Sequence, residues 1–598
     1  MFLNFIKFFK NNCDLVFKWI VLFAFFKVCL VLNAQKFEDI APIPLESVGS
    51  VGDIYLDPDY YTSSLNEESP ALLDSLNGVV FVNSFDDIVK EGREDLNIVI
   101  EDIPILQNEV FKSRIIPLIG QPVNLKLLDE ITNEVVLHFR ENKRPVVDAI
   151  IPEQDIQTGT IQVLVLQSKL GQVIVENNRY FSQDLLLGKL RIKKGEELDS
   201  AILKEDLEWI NENPFRQVDL VYSRGENSQE TDITLNVREK LPLRVYAGYE
   251  NSGNEATGLD RYLAGFNYGN VFGLDHTISY QYTTSSDLDR LTGNSITYDI
   301  PISPTSKINI LGSFAESHLM FEDSLGLDGR NWQLGLRYTK ELRNLGPLEH
   351  SVNFGFDFKE SKSEVIISGF AADENTTHIN NFVFGYYAKL SDPLGITSLS
   401  TNLFYSPGNL TDKNNDLQFG GPTSNANGSA ISFDPNSQAN YTYAKIGLDR
   451  KTRLPFSFIW NVRAEYLLTS TNLLPSEQLT LGGSNTVRGY QEAESNMDTG
   501  YWINTEIVAP GFSLGKMFKS KWNDELNLLS FFDYGSGRNK FKTEGAVNDW
   551  EMYSSGLGMR YLVNPYFNMN MSWGYQLKDS VLYPDDRERA HISISLTY

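Results

Sequence analysis

Two stretches of this 598-residue chain have residue types and spacing that could do chemistry. The first is Leu481-Gly482-Gly483-Ser484-Asn485-Thr486-Val487-Arg488-Gly489-Tyr490, followed further on by Phe531-Phe532-Asp533-Tyr534-Gly535. Its glycines free the backbone to turn tightly. Arg488 offers five donors in a fixed fork, the shape that grips a carboxylate. If Asp533 lies on the inner face of a strand, an inward-reaching Arg488 can pair with it, with Phe531 and Gly535 on that same face. A solvated arginine in an ordinary surface loop is the competing reading.

The second stretch, Gly511-Phe512-Ser513-Leu514-Gly515, fits the G-x-S-x-G pattern. A nucleophile elbow needs its serine on a strand-to-helix turn, with an acid and a histidine downstream. Here Pro510 precedes it at the end of an extended segment, and the one later histidine is His591, close to the C-terminus. No catalytic residue is expected. His138, His276, His318, His350, His378 and His591 show no close ligand spacing, so no zinc site is expected. No Walker-type phosphate loop is present, and neither nucleotide nor other cofactor is implied.

The elements that must position these residues are strands. From Leu243 onward apolar and polar residues alternate. Asn568, Asn570, Ser572 and Gly574 interleave with Phe567, Met569, Met571, Trp573 and Tyr575; Asn353, Gly355, Asp357 and Lys359 interleave with Val352, Phe354, Phe356 and Phe358. At the C-terminus, Ile592, Ile594, Leu596 and Tyr598 share one face, and Ser593, Ser595 and Thr597 the other. An amphipathic strand of about 9–11 residues can cross a bilayer when tilted. A lone strand would leave its backbone unpaired in lipid, so it must close a barrel. The spacing predicts about sixteen antiparallel strands over 243–598, in the range of outer-membrane barrels with polar lumens. Ile592, Ile594, Leu596 and Tyr598 then form the signal read during barrel assembly. Short turns such as Ile302–Thr305 alternate with long gaps, 407–440 and 471–498. The Arg488 motif falls in the second gap, between strands eleven and twelve. On this parity Phe532 and Tyr534 face lipid and Asp533 the lumen.

The N-terminus reads differently. Lys7 and Lys10 precede an apolar stretch from Leu15 to Leu32 that ends at Leu32-Asn33-Ala34, the outline of a secretory signal peptide over 1–34. Its removal takes Cys13, Cys29, four lysines and one aspartate, moving the formal charge from −26 to −29. A mature chain without thiols has no disulfide framework. One so acidic is a poor general nucleic-acid binder. Residues 35–76, with Pro42, Pro44, Pro58 and Pro70, read as a linker or N-terminal extension with a short helix near Ala71–Leu76. From Val79 to Leu241 the pattern is mixed α/β. One helix is expected from Leu125 to about Arg140, with strands at 145–151 and 160–166. A second cycle has a strand at 172–176, helices at 182–190 and after Asp199, and strands at 218–223 and 232–237.

Taken together, Val487-Arg488-Gly489-Tyr490 and Phe531-x-Asp533-x-Gly535 resemble the paired signature of two-partner secretion transporters, the haemolysin-activation and filamentous-haemagglutinin transporter family. Pro152-Glu153-Gln154-Asp155 with Gly159 is similar to the end of that family's first polypeptide-transport-associated (POTRA) domain, and Leu170-Gly171-Gln172-Val173 to the start of its second. Tyr249-Glu250-Asn251-Ser252-Gly253 resembles the entry to the barrel. Gln167-Ser168-Lys169 departs from the Glu-Gly-Arg-like run of many members. The resemblance implies a first POTRA domain over 77–168, a second over 169–240, and a barrel over 243–598 with a lumen loop at 471–498. It implies an outer-membrane pore with periplasmic POTRA domains that binds an unfolded secreted partner protein and exports it. Outer-membrane lipids and the barrel assembly machinery are the further partners implied. The alternatives are a barrel assembly factor of the same superfamily, which usually carries more POTRA domains, and a passive porin, which has no use for the α/β module.

Overall fold

A computed structural model describes residues 36–45, 53–56, 71–227, 229–320, 325–367, 370–420, 436–520, 522–542 and 547–598. The expected signal peptide and much of the expected linker lie outside them. The chain forms two units. One takes residues up to Pro44 with Leu243–Tyr268 and His276–Tyr598; the other takes Leu45–Pro242 and Gly269–Asp275. The first described element of the first unit is a single helical turn, α1 (Phe37–Ile40).

The second unit holds two four-stranded sheets. After β1 (Ile54–Leu56), the first contains β2 (Gly78–Val82), β3 (Asn97–Ile100), helices α2 (Glu109–Ile115) and α3 (Leu125–Glu141), then β4 (Val147–Ile150) and β5 (Thr160–Gln167), in the order β3-β2-β5-β4. In α3, Leu127, Ile131, Val135 and Phe139 recur every fourth residue, so one stripe meets Val79, Phe81, Ile161 and Val163 of the sheet in a shared core. Asn124 caps it by accepting from the Leu127 N–H at 2.8 Å. The second sheet follows: β6 (Lys169–Glu176), helices α4 (Gln183–Gly188) and α5 (Ser200–Ile210), β7 (Arg216–Arg224) and β8 (Glu230–Glu239). Its order is β1-β7-β8-β6, because β1 adds in parallel to β7 with Ile54 opposite Leu220. Residues 269–275 belong to this unit, and Asp275 accepts from both terminal nitrogens of the buried Arg216, at 2.5 and 2.6 Å.

The helix expected near Ala71–Leu76 is absent. Leu73 instead bridges Val123, and the Leu76 N–H donates to the Gln121 carbonyl at 2.8 Å while its side chain is fully buried. Six residues gain little as an isolated helix; the extended form buries Leu76 and satisfies its backbone.

The first unit is a closed barrel. Its strands are β9 (Leu243–Glu250), β10 (Arg261–Val271), β11 (His276–Ser285), β12 (Leu291–Ser303), β13 (Ser306–Met320), β14 (Leu325–Glu341), β15 (Leu348–Ile367), β16 (Phe370–Asp392), β17 (Gly395–Pro407), β18 (Asn440–Arg453) and β19 (Ile459–Thr469). A small hairpin, β20 (Leu479–Leu481) with β21 (Ser495–Met497), stands apart from the wall. The wall resumes with β22 (Thr499–Val508), β23 (Asp524–Arg538), β24 (Asp549–Val563), β25 (Phe567–Gln576) and β26 (Glu588–Thr597). Short helices α6 (Asp416–Gly420) and α7 (Leu514–Met517) sit in connections. The sixteen wall strands pair antiparallel in sequence order, and β26 closes on β9 with Ser593 opposite Glu250 and Thr597 opposite Tyr246. The ladder runs on past β26, since Tyr598 and Val245 exchange two backbone bonds, at 2.9 and 3.0 Å.

The outward face of β13–β16 carries Ile310, Leu336, Phe356 and Phe382 in one row and Phe354, Tyr338 and Phe384 beside it. Above Phe314, Trp332 and Phe358 the same face turns polar: Arg330 pairs with Glu316 at 2.9 Å, His318 with Asp328 at 3.0 Å, and His378 with Glu360 at 2.9 Å. Leu336 is half exposed in the apolar band. Leu336→Arg should therefore destabilise the lipid-embedded barrel by about 2–4 kcal/mol, the midplane penalty for a cation, whereas Arg330→Lys above the band should change little. Urea unfolding in lipid vesicles measures both; equal stabilities would misplace the band.

Candidate functional site

Register decides what faces inward. On β22 and β23, Asn504 lies opposite Asp533 and Glu506 opposite Phe531, and these side chains share the inner face. Asp533 is fully buried and Glu506 nearly so, while Phe532 on the other face is 43% exposed.

The connection between β19 and β22 supplies the rest. The β20–β21 hairpin stiffens its stem, with Leu479 opposite Met497. At its end Gly482 and Gly483 take φ of +96° and +102°, which side-chain-bearing residues rarely adopt. Beyond them the tip enters the wall's inner face. Arg488 donates from Nε to Asp533 Oδ2 at 2.7 Å, from one terminal nitrogen to Asp533 Oδ1 at 2.8 Å, and from the other to Glu506 Oε1 at 2.7 Å. Its backbone N–H also donates to Asp533 Oδ2, at 3.1 Å. Glu506 takes a second cation, Arg560 of β24, at 2.6 Å. Two guanidinium groups thus face two carboxylates. The Arg488 guanidinium lies 3.6 Å from the Phe531 ring centroid, close enough for cation–π attraction.

The neighbours of Arg488 fix the tip. Val487 is fully buried against Gly535, where an added Cβ would stand 2.8 Å from its Cγ2. Gly489, at φ +90°, packs on Gly574 so closely that a Cβ would come within 2.9 Å of that backbone. The Gly489 N–H donates to His591 Nε2 at 3.1 Å, and its carbonyl accepts from Gln576 at 2.8 Å. Nε2 accepts, so the proton sits on Nδ1, facing Glu492 at 3.0 Å. The Tyr490 hydroxyl donates to the Lys578 carbonyl at 2.5 Å. The tip thereby bridges β22 to β26.

Residues 36–44 share this interior. Lys36 Nζ donates to the Gln478 carbonyl and to Thr480 Oγ1, both at 2.7 Å. The Ile40 carbonyl accepts from Ser295 and Gln281, the Ile43 N–H donates to the Tyr246 hydroxyl at 3.0 Å, and Arg244 donates to the Pro44 carbonyl at 2.9 Å. Gly293 leaves room for Ile40, whose Cγ2 would be 3.1 Å from an added Cβ.

Elsewhere, Ser513 of the G-x-S-x-G stretch caps α7, accepting from the Lys516 N–H at 3.0 Å, and donates to Asp524 at 2.5 Å. His591 is bonded to the loop tip instead. Ile592, Ile594, Leu596 and Tyr598 line the outer face at the closing seam, with Leu596 and Tyr598 exposed. Sequence reading missed Glu506, Arg560 and Gln576, and weighed His591 only as a catalytic histidine or a zinc ligand. Their shared signal is a polar side chain at inward parity, which names a face but no partner.

The sequence profile of the family described as "Haemolysin secretion/activation protein ShlB/FhaC/HecB" matches residues 229–561, and a POTRA profile described as "Surface antigen variable number repeat" matches 168–240. The heme/hemopexin transporter protein HuxB of Haemophilus influenzae is 25% identical over 491 residues, covering 79% of this chain and 81% of its own length. The outer membrane transporter CdiB of Dickeya dadantii is 21% identical, over 64% and 66%. Among solved structures, CdiB from Escherichia coli superposes with a TM-score of 0.65 at 14% identity, covering 91% of this chain and 94% of that one; CdiB from Acinetobacter baumannii gives 0.58 at 15%, covering 98% of each.

Proposed function

The chain belongs to the haemolysin secretion/activation protein family, and from that membership we propose how its parts divide the work of export. It is an outer-membrane two-partner secretion transporter, a sixteen-stranded barrel preceded by periplasmic POTRA domains, that exports a partner polypeptide. The observation that carries the division of labour is a closed, polar-lined barrel whose interior holds both the Arg488 loop and residues 36–44.

In our reading, residues 77–168 and 169–240 are the two POTRA domains, and they bind the partner in extended form. Residues 54–56 display the mode within the chain itself: an extended segment added to β7 by backbone pairing. The lumen then conducts the partner once residues 36–44 and the loop tip leave their places. The Arg488–Asp533–Glu506 cluster holds the loop in one position rather than reacting with anything, so no catalysis is assigned. With no Walker-type phosphate loop in the sequence, folding of the partner outside supplies direction. Outer-membrane lipids surround the apolar band, and the barrel assembly machinery inserts the chain by reading Ile592, Ile594, Leu596 and Tyr598. Nucleic acid has no role.

Deleting residues 77–240 should leave a barrel that inserts and shows heat-modifiable mobility but secretes no partner. Partner in the medium per folded barrel is the measurement, with the abundance of other outer-membrane barrels followed in parallel. Normal secretion by the deleted chain would overturn the division of labour; a fall in other barrels with secretion intact would favour an assembly factor.

A further inference from the structure

The Arg488 tip is one attachment of the long loop; its base has another. Glu477, three residues before Thr480 in the same connection, is 1% exposed and carries a carboxylate. It accepts from Lys359 Nζ of β15 at 2.7 Å, from the Tyr443 hydroxyl of β18 at 2.6 Å, from Asn381 Nδ2 of β16 at 3.0 Å and from Ser476 Oγ at 3.2 Å. Asn381 Oδ1 accepts in turn from the Tyr441 hydroxyl at 2.8 Å. The wall strands used here stand seventh, eighth and tenth in the ring, whereas Arg488 and Gly489 bind strands twelve, thirteen, fifteen and sixteen. Strands eight and sixteen of sixteen lie half a circumference apart. The loop is therefore tied to two sides of the lumen, and next to Glu477 it is tied to Lys36 through the Gln478 carbonyl and Thr480.

We infer that Glu477 is a positioning residue for pore closure: its ion pair with Lys359 fixes the loop base, and through Gln478 and Thr480 that base holds residues 36–44 inside the lumen. The inference rests on the export reading for its biological purpose, but the geometry concerns closure alone. A carboxylate so buried is held by its partners, and removing its charge takes from Lys359 the carboxylate it bonds in a confined site. The base then loses its fixed position, and Lys36 loses the carbonyl it binds. Lys36→Met breaks the same chain of contacts at its other end. Two cuts in one chain should do little more than one, so the effects should not add.

The test is single-channel recording of the full-length protein in planar lipid bilayers in potassium chloride. Glu477→Gln and Lys36→Met are each expected to raise the open fraction about tenfold over the native chain. The double variant should match Glu477→Gln, and Glu477→Asp, which keeps the charge on a shorter stem, should fall between. Heat-modifiable mobility certifies folding for each. If Glu477→Gln does not insert, Lys36→Met and Tyr443→Phe decide, since neither removes a charge from the wall: both must open more often than the native chain. Native-like closure of folded Glu477→Gln, or of Lys36→Met, overturns the inference, as do effects that multiply. Secretion measured alongside separates the two readings: a channel that opens as expected yet exports no partner rejects export and leaves the clasp standing.

Discussion

Arg488→Ala is expected to leave the barrel inserted and to cut partner secretion at least about tenfold, a change of about 1.4 kcal/mol or more in the free energy of the working state. An exposed ion pair would contribute only about 0–1 kcal/mol. This pair is enclosed, with Asp533 fully buried and Arg488 5% exposed. Removing one member of such a pair costs about 3–5 kcal/mol, because the other charge stays buried alone. The geometry also ranks the variants. Arg488→Ala takes both guanidinium bonds from Asp533, leaving it the backbone N–H at 488, and leaves Glu506 with Arg560; Asp533→Ala leaves Arg488 on Glu506 and over Phe531. The arginine variant should therefore be the weaker secretor, and the double alanine variant should be no worse than Arg488→Ala. Arg488→Lys should recover little, since an ammonium cannot span Asp533 and Glu506 with a fork. Exchanging the two residues should fail: the backbone N–H at 488 is itself a donor to the carboxylate, and an aspartate at 488 would face Glu506. Strictly additive losses in secreted partner per folded barrel would remove the direct pair, and normal secretion by both single variants would remove its purpose.

Deleting Ala590–Tyr598 should abolish insertion altogether. β26 pairs with β25 on one side and β9 on the other, so its loss opens two edges at once. Each unpaired backbone group in hydrocarbon costs several kcal/mol, and a wall with open edges has no spanning alternative. Tyr598→Ala should be milder, because the Tyr598 backbone already bonds to Val245 while its ring is 86% exposed. Gel mobility before and after heating reads both. A truncated chain that still runs as a folded barrel would refute the closing role of the strand.

Some of this was legible in the residues and some was not, for physical reasons. Alternation on a strand has period two, so Phe532 outward and Asp533 inward follow from the pattern alone. The glycines around Arg488 marked a loop with unusual backbone needs. Partners across the lumen left no such mark. Glu477, Glu506, Arg560 and His591 are single polar residues in connections or on inner faces, and which groups they meet depends on how the ring closes. Residues 36–44 are held largely through their backbone carbonyls and N–H groups, and a backbone contact writes nothing into the side chains that make it. The strand β2, Gly-Val-Val-Phe-Val, is buried on both faces and lacks alternation, while β3 has only four residues.

The boundary on β13–β16 between phenylalanines and ion pairs has a mechanical consequence. On the proposed mechanism, a partner folding outside would pull the chain still in the lumen outward, and by reaction the pore would be pushed inward, along the membrane normal. Sinking by one step of the alternation would carry Glu316 with Arg330 and Glu360 with His378 into hydrocarbon. Rising by one step would lift Trp332 and Phe358 into water. Both displacements raise the free energy, so the wall sits in a restoring well and returns the thrust to the bilayer. β15 and β16, at 20 and 23 residues, exceed the roughly 9–11 that a crossing requires. On the proposed export route, the stretches beyond the apolar band would serve as the abutment against which the folding partner pulls.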